Sequence, residues 1–391
     1  MDEEIRPTQL FPRLVVAMGV LLALCAAAYL ATLAPPYDRW DAIVGRDFVN
    51  MWTGARATLA GNVERLFDHR QFLEEIRRAF PGASWRNWSY PPHVLLFVWP
   101  LGLLPYMAAW ALWSLAGLAL YLLVAAGGVR SAKTLAGLAA APAVGVNLFF
   151  GQNGFFSAAL IIGAVRELDR RPLVAGVCLG LLTVKPQLGV LFPLALILSG
   201  RWRCLAAAAA TAAVLALVTA AIFGPQVWRD YVEKVVPYQS EVMTRFHGPF
   251  LAMMPTAFAT GRLWNTSTTV AWMFQAPFTI FALAAVTWTF IKRRESLLSA
   301  GVLVTASFVI TPYVYVYDMV VLGWVIAILH RPLSRGSDQM LAACVWLVPV
   351  VTIACGFVEY FNIPAPPVAP FLMAAFLGRL LMLLRRPEGA A

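Results

Sequence analysis

Apolar runs of about the length that crosses a bilayer recur along the whole of this sequence, and they decide what it can fold into. Leu14 to Ala34, Tyr106 to Gly127, Leu205 to Phe223, Val270 to Ile291 and Met340 to Val358 each approach the roughly 20 residues a helix needs to span hydrocarbon. With 60% of 391 residues hydrophobic and only 13% charged, there is too little polar residue to cover a water-soluble globule. Backbone groups in lipid must bond within a helix or a closed barrel, and unbroken runs, as opposed to alternating ones, mean helices. The predicted fold is therefore all-α, a polytopic transmembrane helical bundle with 11 to 13 membrane helices and no soluble domain of any size. We expect a single integral membrane domain over 1–391, with the first helix at 14–34, a loop at 35–90 and the remaining bundle at 91–386.

The net charge of +10 would suggest nucleic acid in a soluble protein, but its distribution excludes that partner. Fifteen basic residues fall in six short stretches: Arg130 and Lys133; Arg166, Arg170 and Arg171; Arg201 and Arg203; Lys292, Arg293 and Arg294; Arg331 and Arg335; Arg379, Arg385 and Arg386. The two long loops, 35–90 and 224–265, hold twelve basic and ten acidic residues and are nearly neutral. That asymmetry is the positive-inside pattern, which puts the short loops in the cytoplasm and the long ones on the opposite face. The first apolar run is longer than a signal core and ends in Ala34-Pro35-Pro36-Tyr37, so it reads as an uncleaved helix. Pro91 to Leu104 is too short to span comfortably and either crosses or dips and returns. The five cysteines lie in or beside apolar runs without CxxC spacing and read as packing residues.

Three apolar stretches are interrupted: by Gly151-Gln152-Asn153-Gly154, by Lys185-Pro186-Gln187, and by Thr311-Pro312 with Tyr313, Tyr315, Tyr317 and Asp318. Broken helices persist at membrane depth only where the freed backbone is buried in protein or faces a wet cavity. All three breaks fall on the side of the long loops, so they are expected to line one cavity there. Within the 35–90 loop, Phe48, Trp52, Ala55 and Leu59 share a helix face, and Phe67, Phe72 and Ile76 with Arg70, Arg77 and Arg78 suggest a second amphipathic helix lying in the membrane interface.

The signatures of nucleotide-hydrolysing and zinc enzymes are missing. What remains is polar residues in expensive places. Lys185 between two apolar runs either snorkels at a helix end or pairs with an anion. Asp318, after a ladder of tyrosines, has the same two readings. Asp47, in a loop ahead of a helix, would by itself be an ordinary N-cap.

Context adds a further reading. Arg46-Asp47-Phe48 leading to Trp52, Ala55-Arg56-Ala57-Thr58-Leu59-Ala60-Gly61-Asn62, Trp88-Ser89-Tyr90-Pro91-Pro92-His93 and Pro100-Leu101-Gly102-Leu103-Leu104-Pro105 form an ordered series, followed by Gly151-Gln152 and Lys185-Pro186-Gln187. Over about residues 40–320 this series resembles glycosyltransferase family 87, polytopic enzymes of the GT-C superfamily that include polyprenyl-phosphate-mannose-dependent mannosyltransferases. The resemblance implies a GT-C-like bundle in the cytoplasmic (inner) membrane with its active site facing the periplasm or cell exterior. It implies transfer of a hexose, mannose by analogy, from a polyprenyl-phosphate sugar donor to a glycolipid or glycan acceptor, with inversion and no cofactor. Asp47 matches the family's general base. Arg46, Arg86 and Lys185 are candidates for holding the phosphate, and Trp52, Tyr90, His93, Gln152, Gln187, Tyr315 and Asp318 for binding substrate, with membrane lipid around the whole. Acids on the long-loop side are dispersed, so no metal is expected. The chain departs from the family where Gly61 to Phe67 ends in phenylalanine and where Thr311 to Asp318 carries no histidine. The rival reading is a secondary transporter or lipid flippase, for which two related helix bundles are expected in place of a one-sided cavity.

Overall fold

A computed structural model describes residues 10–127, 131–245, 249–292, 296–360 and 368–385. Arg130, Arg293, Arg294 and Arg386, four of the basic residues above, lie outside the described residues. The chain is helical with no β-strand among the described residues, an all-α polytopic bundle. Five helices are long and apolar enough to cross a membrane: Phe11–Ala31, Tyr106–Ala126, Trp202–Phe223, Thr268–Lys292 and Gly336–Cys355. Ala132–Ala139 and Pro142–Phe150, bent by 49° at their junction, together make a sixth. Six further apolar helices run only 10–17 residues. The expectation of 11 to 13 crossings rests on counting these as well. Among them, Pro92–Leu103 is largely 3-10 helix and rises about 20 Å, short of the roughly 30 Å hydrocarbon core.

Burial sorts the helices into lipid-facing and central ones. Val16, Val20, Leu24 and Leu30 of the first helix and Val214, Leu217 and Ile222 of Trp202–Phe223 are exposed, which is tenable only where lipid is the solvent. Leu297–Ile310 is buried at every position from Gly301 to Val309, and Val320–Ile328 from Val320 to Ile326. A helix buried on all sides marks the bundle centre. Pro172–Leu181 lies against Trp202–Phe223 because Gly176 and Gly180, four apart, leave room for it. A Cβ at Gly176 would come within 2.5 Å of the Cys204 carbonyl, and one at Gly180 within 2.8 Å of the Ala208 carbonyl. Small residues at this spacing let membrane helices approach closely.

The 35–90 segment folds into its own apolar cluster, with Phe48, Val49, Leu66, Phe72, Ile76, Trp88 and Leu95 at its heart. This corrects the expectation for the second amphipathic helix. His69–Ala79 is strongly amphipathic, yet Phe72 and Ile76 are fully buried in this cluster, so its apolar face meets protein and not lipid. In Phe48–Ala60, Phe48 and Ala55 are buried while Leu59 is exposed.

Five helices radiate from the breaks and end at basic turns. Gly154–Glu167 leaves the Gln152 turn and ends beside Arg166; Pro172–Leu181 runs from Arg171 toward Lys185; Phe192–Leu198 leads from the Gln187 side to Arg201; Leu297–Ile310 follows Lys292 and ends at Thr311; and Val320–Ile328 runs from Asp318 toward Arg331. With 14 residues the first of these spans about 21 Å. The breaks and the basic turns therefore occupy opposite ends of the bundle. Among the latter, Arg201 pairs with Asp169, and Arg379 grips Asp338 through Nε and a terminal nitrogen at 2.6 and 2.8 Å.

Candidate active site

The three breaks meet in one cavity of about 480 Å³, a volume typical of small-molecule sites. Two glycines bring the first break to the 35–90 segment. Gly45 and Gly151 both have positive φ, 72° and 62°. A Cβ at Gly151 would lie 2.6 Å from that of Phe48, and one at Gly45 would enter the Trp110 ring. This close apposition lets the Asp47 N–H donate to the Phe150 carbonyl at 3.0 Å, which sets Gln152 beside Asp47.

Asp47 stands at the N-cap position of Phe48–Ala60, but its side chain caps nothing. Its Oδ2 instead accepts from Gln152 Nε2 at 2.9 Å at the cavity wall. Gln152 Oε1 in turn accepts from the Tyr90 hydroxyl at 3.1 Å. Burial pushes the Asp47 carboxyl above its ordinary range, against the opposing pull of Arg86, the Gln152 bond, Lys185 and Arg46. A carboxylate raised in this way is a stronger base.

In the same cavity wall Lys185 forms a buried ion pair with Asp318, and its ammonium sits 4.9 Å from the Tyr317 ring centroid. Asp318 also accepts from the Tyr315 N–H at 3.4 Å. Tyr315 stacks on Tyr317 with centroids 5.0 Å apart. Both expectations of a costly intramembrane charge are thus resolved by pairing, and neither by snorkelling. Arg86 lines the cavity differently. Its guanidinium donates to Ser84 Oγ and the Trp85 carbonyl at 2.9 and 2.8 Å, its Nε has no partner, and no carboxylate bonds to it among the described residues. Asn50 Oδ1, in the same wall, is likewise buried and unpartnered.

Of the eleven residues singled out from sequence, Asp47, Arg86, Tyr90, Gln152, Lys185, Gln187, Tyr315 and Asp318 line this cavity. The other three do not line it and build the frame around it. Arg46 pairs with Asp38 and lies over Phe149; the Trp52 indole donates to the Leu104 carbonyl at 3.1 Å; and His93 stacks on Trp228 near Thr183. Sequence reasoning missed Tyr231 and Gln239, from the 224–265 segment. Gln239 donates to Ser89 Oγ at 2.7 Å and accepts from the Tyr313 hydroxyl at 3.0 Å, tying that segment across the cavity. The one local signal is the π-helical turn Tyr231–Val235, a distortion common at functional sites, which no residue pattern announces. Among the described residues no three histidine, cysteine or acidic side chains converge as a metal site.

A cavity at one end of a lipid-facing bundle, with a raised carboxylate and the basic side chains Arg86 and Lys185 in its wall, belongs to a polytopic membrane protein. The sequence model of glycosyltransferase family 87 matches residues 88–314, more than half of the chain, and the chain belongs to that family. It is thus a membrane glycosyltransferase, acting on a sugar donor and an acceptor. Tyr90, Gln152, Lys185 and Gln187 fall inside the matched stretch, whereas Asp47 precedes it. No curated protein and no solved structure matches the chain.

Proposed function

We propose that this enzyme moves a hexose, mannose on the family resemblance, from a polyprenyl phosphate to an acceptor hydroxyl of a glycolipid or glycan. The reaction inverts the anomeric centre and Asp47 is the general base. The observation that carries this reading is the freedom of Asp47 from any capping role: its carboxyl is turned to the cavity that Arg86 and Lys185 also line.

The chemistry asks for little more. As the acceptor oxygen bonds to the anomeric carbon, its proton passes to Asp47, and the bond from that carbon to the phosphate oxygen breaks with its electrons staying on the phosphate. The polyprenyl phosphate leaves already ionised, so no general acid is needed. A cation must hold that phosphate, and an arginine fork matches its oxygens. Arg86 fits best, because Lys185 already serves Asp318 and Arg46 serves Asp38. Phe150, Phe250, Met253 and Val236 supply the apolar part of the wall for the first isoprene units.

Charge supports one side of the membrane over the other. The cavity lies at the end of the bundle opposite the basic turns, and basic turns stay in the cytoplasm. That orientation supports the reading that the cavity opens on the outer face of the cytoplasmic membrane, where lipid-linked sugars, not nucleotide sugars, are at hand. Asp47→Asn is the test. It keeps size and polarity and removes no cap, so the protein should be produced and fold normally while transfer is abolished. Wild-type turnover in that variant would refute Asp47 as the base.

A further inference from the structure

Gln152 stands in the wall of the cavity as a substrate-binding candidate would, but its bonding says otherwise. Its Oε1 receives two donors, the Tyr90 hydroxyl at 3.1 Å and the Asn153 backbone N–H at 3.4 Å, and its Nε2 donates a hydrogen bond to Asp47 Oδ2 at 2.9 Å. The backbone N–H of Asn153 can only donate. Were the amide turned over, its NH₂ would face that N–H and its carbonyl would face the Asp47 carboxylate, two repulsive contacts in place of two bonds. The amide is therefore locked with its donor toward Asp47, and Tyr90 completes the lock from a position 62 residues away in sequence. Tyr90 itself is buried between Trp88, 5.4 Å away by ring centroids, and the cavity. Gly151, with its positive φ, fixes the turn that presents Gln152.

We propose that Tyr90 and Gln152 form a positioning relay that holds the Asp47 carboxylate ionised and aimed at the acceptor hydroxyl. The inference rests on the reading of Asp47 as base and extends it by naming what sets that base. A donor to the ionised form favours it and so offsets part of the opposite effect of burial, which remains the larger. The relay gives up part of the basicity that burial confers and in return keeps the carboxylate ionised at working pH. It also restricts the side chain to one rotamer, and a base works only within hydrogen-bond reach of the proton it takes. The other groups that act on Asp47 are the cations Arg86, Lys185 and Arg46. The hydroxyls of Tyr90, Tyr106, Tyr313, Tyr315 and Tyr317 feel its charge, and Asp318 shares the cavity.

The test is an infrared pH titration of the purified enzyme in which the Asp47 band is isolated by subtracting the Asp47→Asn spectrum. Gln152→Met, similar in length but without a donor, should move the titration to higher pH. Tyr90→Phe, which removes one hydroxyl and leaves the fold in place should the first variant fail to fold, should move it the same way by less. In the double variant Tyr90→Phe should add nothing, since it acts only through Gln152. With polyprenyl-phosphate mannose as donor, kcat should fall about 10- to 100-fold in Gln152→Met while the donor KM stays put, the pattern for loss of one bond to a charged group outside the binding contacts. A titration unmoved in both single variants, or equal and additive shifts, would overturn the relay whatever the donor proves to be. A titration that moves as expected beside an active Asp47→Asn enzyme would instead leave the relay in place and remove the base.

Discussion

Lys185 and Asp318 lie 133 residues apart and meet in the cavity wall, with the Lys185 side chain 6% exposed and that of Asp318 fully enclosed. At an effective dielectric constant of 20, two unit charges 4 Å apart attract by about 4 kcal/mol. The Tyr317 ring beneath the ammonium adds a smaller share, about 1 kcal/mol. Desolvating both ions offsets most of this gain, so the intact pair contributes little net stability. Breaking it is another matter. In Lys185→Met the Asp318 carboxylate would keep one long bond, from the Tyr315 N–H at 3.4 Å, and an uncompensated buried charge costs about 3 to 5 kcal/mol. Asp318→Leu should lose a comparable amount by stranding the ammonium. The double variant Lys185→Met/Asp318→Leu, in which neither charge is left, should fall within about 1 to 2 kcal/mol of the wild type. Unfolding of the four proteins in mixed detergent, followed by tryptophan fluorescence, gives the free energies needed for the cycle. Single variants as stable as the wild type, or a double variant as unstable as the two losses summed, would refute the reasoning.

Arg86→Ala should raise the donor KM about 10- to 100-fold, the worth of one lost bond between charged groups, whereas Arg46→Ala should leave it nearly unchanged because Arg46 is held by Asp38 outside the cavity. Steady-state kinetics over a donor series decide this, and a larger effect from Arg46 would exchange their roles. The pH dependence of kcat carries a definite sign. If Asp47 is the base it must be ionised, so kcat should fall as pH drops through its pKa, and because burial raises that pKa the acid limb should lie above the ordinary aspartate range. A limb at or below that range, measured between about pH 4 and 8, would contradict the burial argument.

The parts of this site that the sequence revealed are those with a local physical signature. Lys185 and Asp318 were conspicuous because a charge in an apolar run is expensive, but nothing in either neighbourhood says that each is the other's partner. Gln152 was conspicuous as part of a break between apolar stretches, and its bond to Asp47 depends on an apposition of Gly45 and Gly151 that no linear pattern encodes. Arg46, Trp52 and His93 belong to the blocks that carry the family resemblance, yet they lie outside the cavity. A motif records residues that are needed, and the partners of these three show frame-building. Gln239 and Tyr231 were invisible because they sit in helical turns of ordinary polar composition, and only the fold brings them to Ser89 and Tyr313. The His69–Ala79 helix teaches a related lesson. Periodicity reveals that one face is apolar, and it is silent on whether lipid or protein covers that face.

The central claim, a lipid-linked donor delivered to an outer-face cavity, is tested most directly by a donor panel. Purified enzyme would be assayed with polyprenyl-phosphate mannose, its glucose and arabinose counterparts and the corresponding nucleotide sugars, each against a lipid extract of the host. The account predicts transfer from a polyprenyl-phosphate hexose, foremost the mannose compound, and none from any nucleotide sugar. Transfer supported by a nucleotide sugar alone would contradict both the donor and the orientation of the cavity.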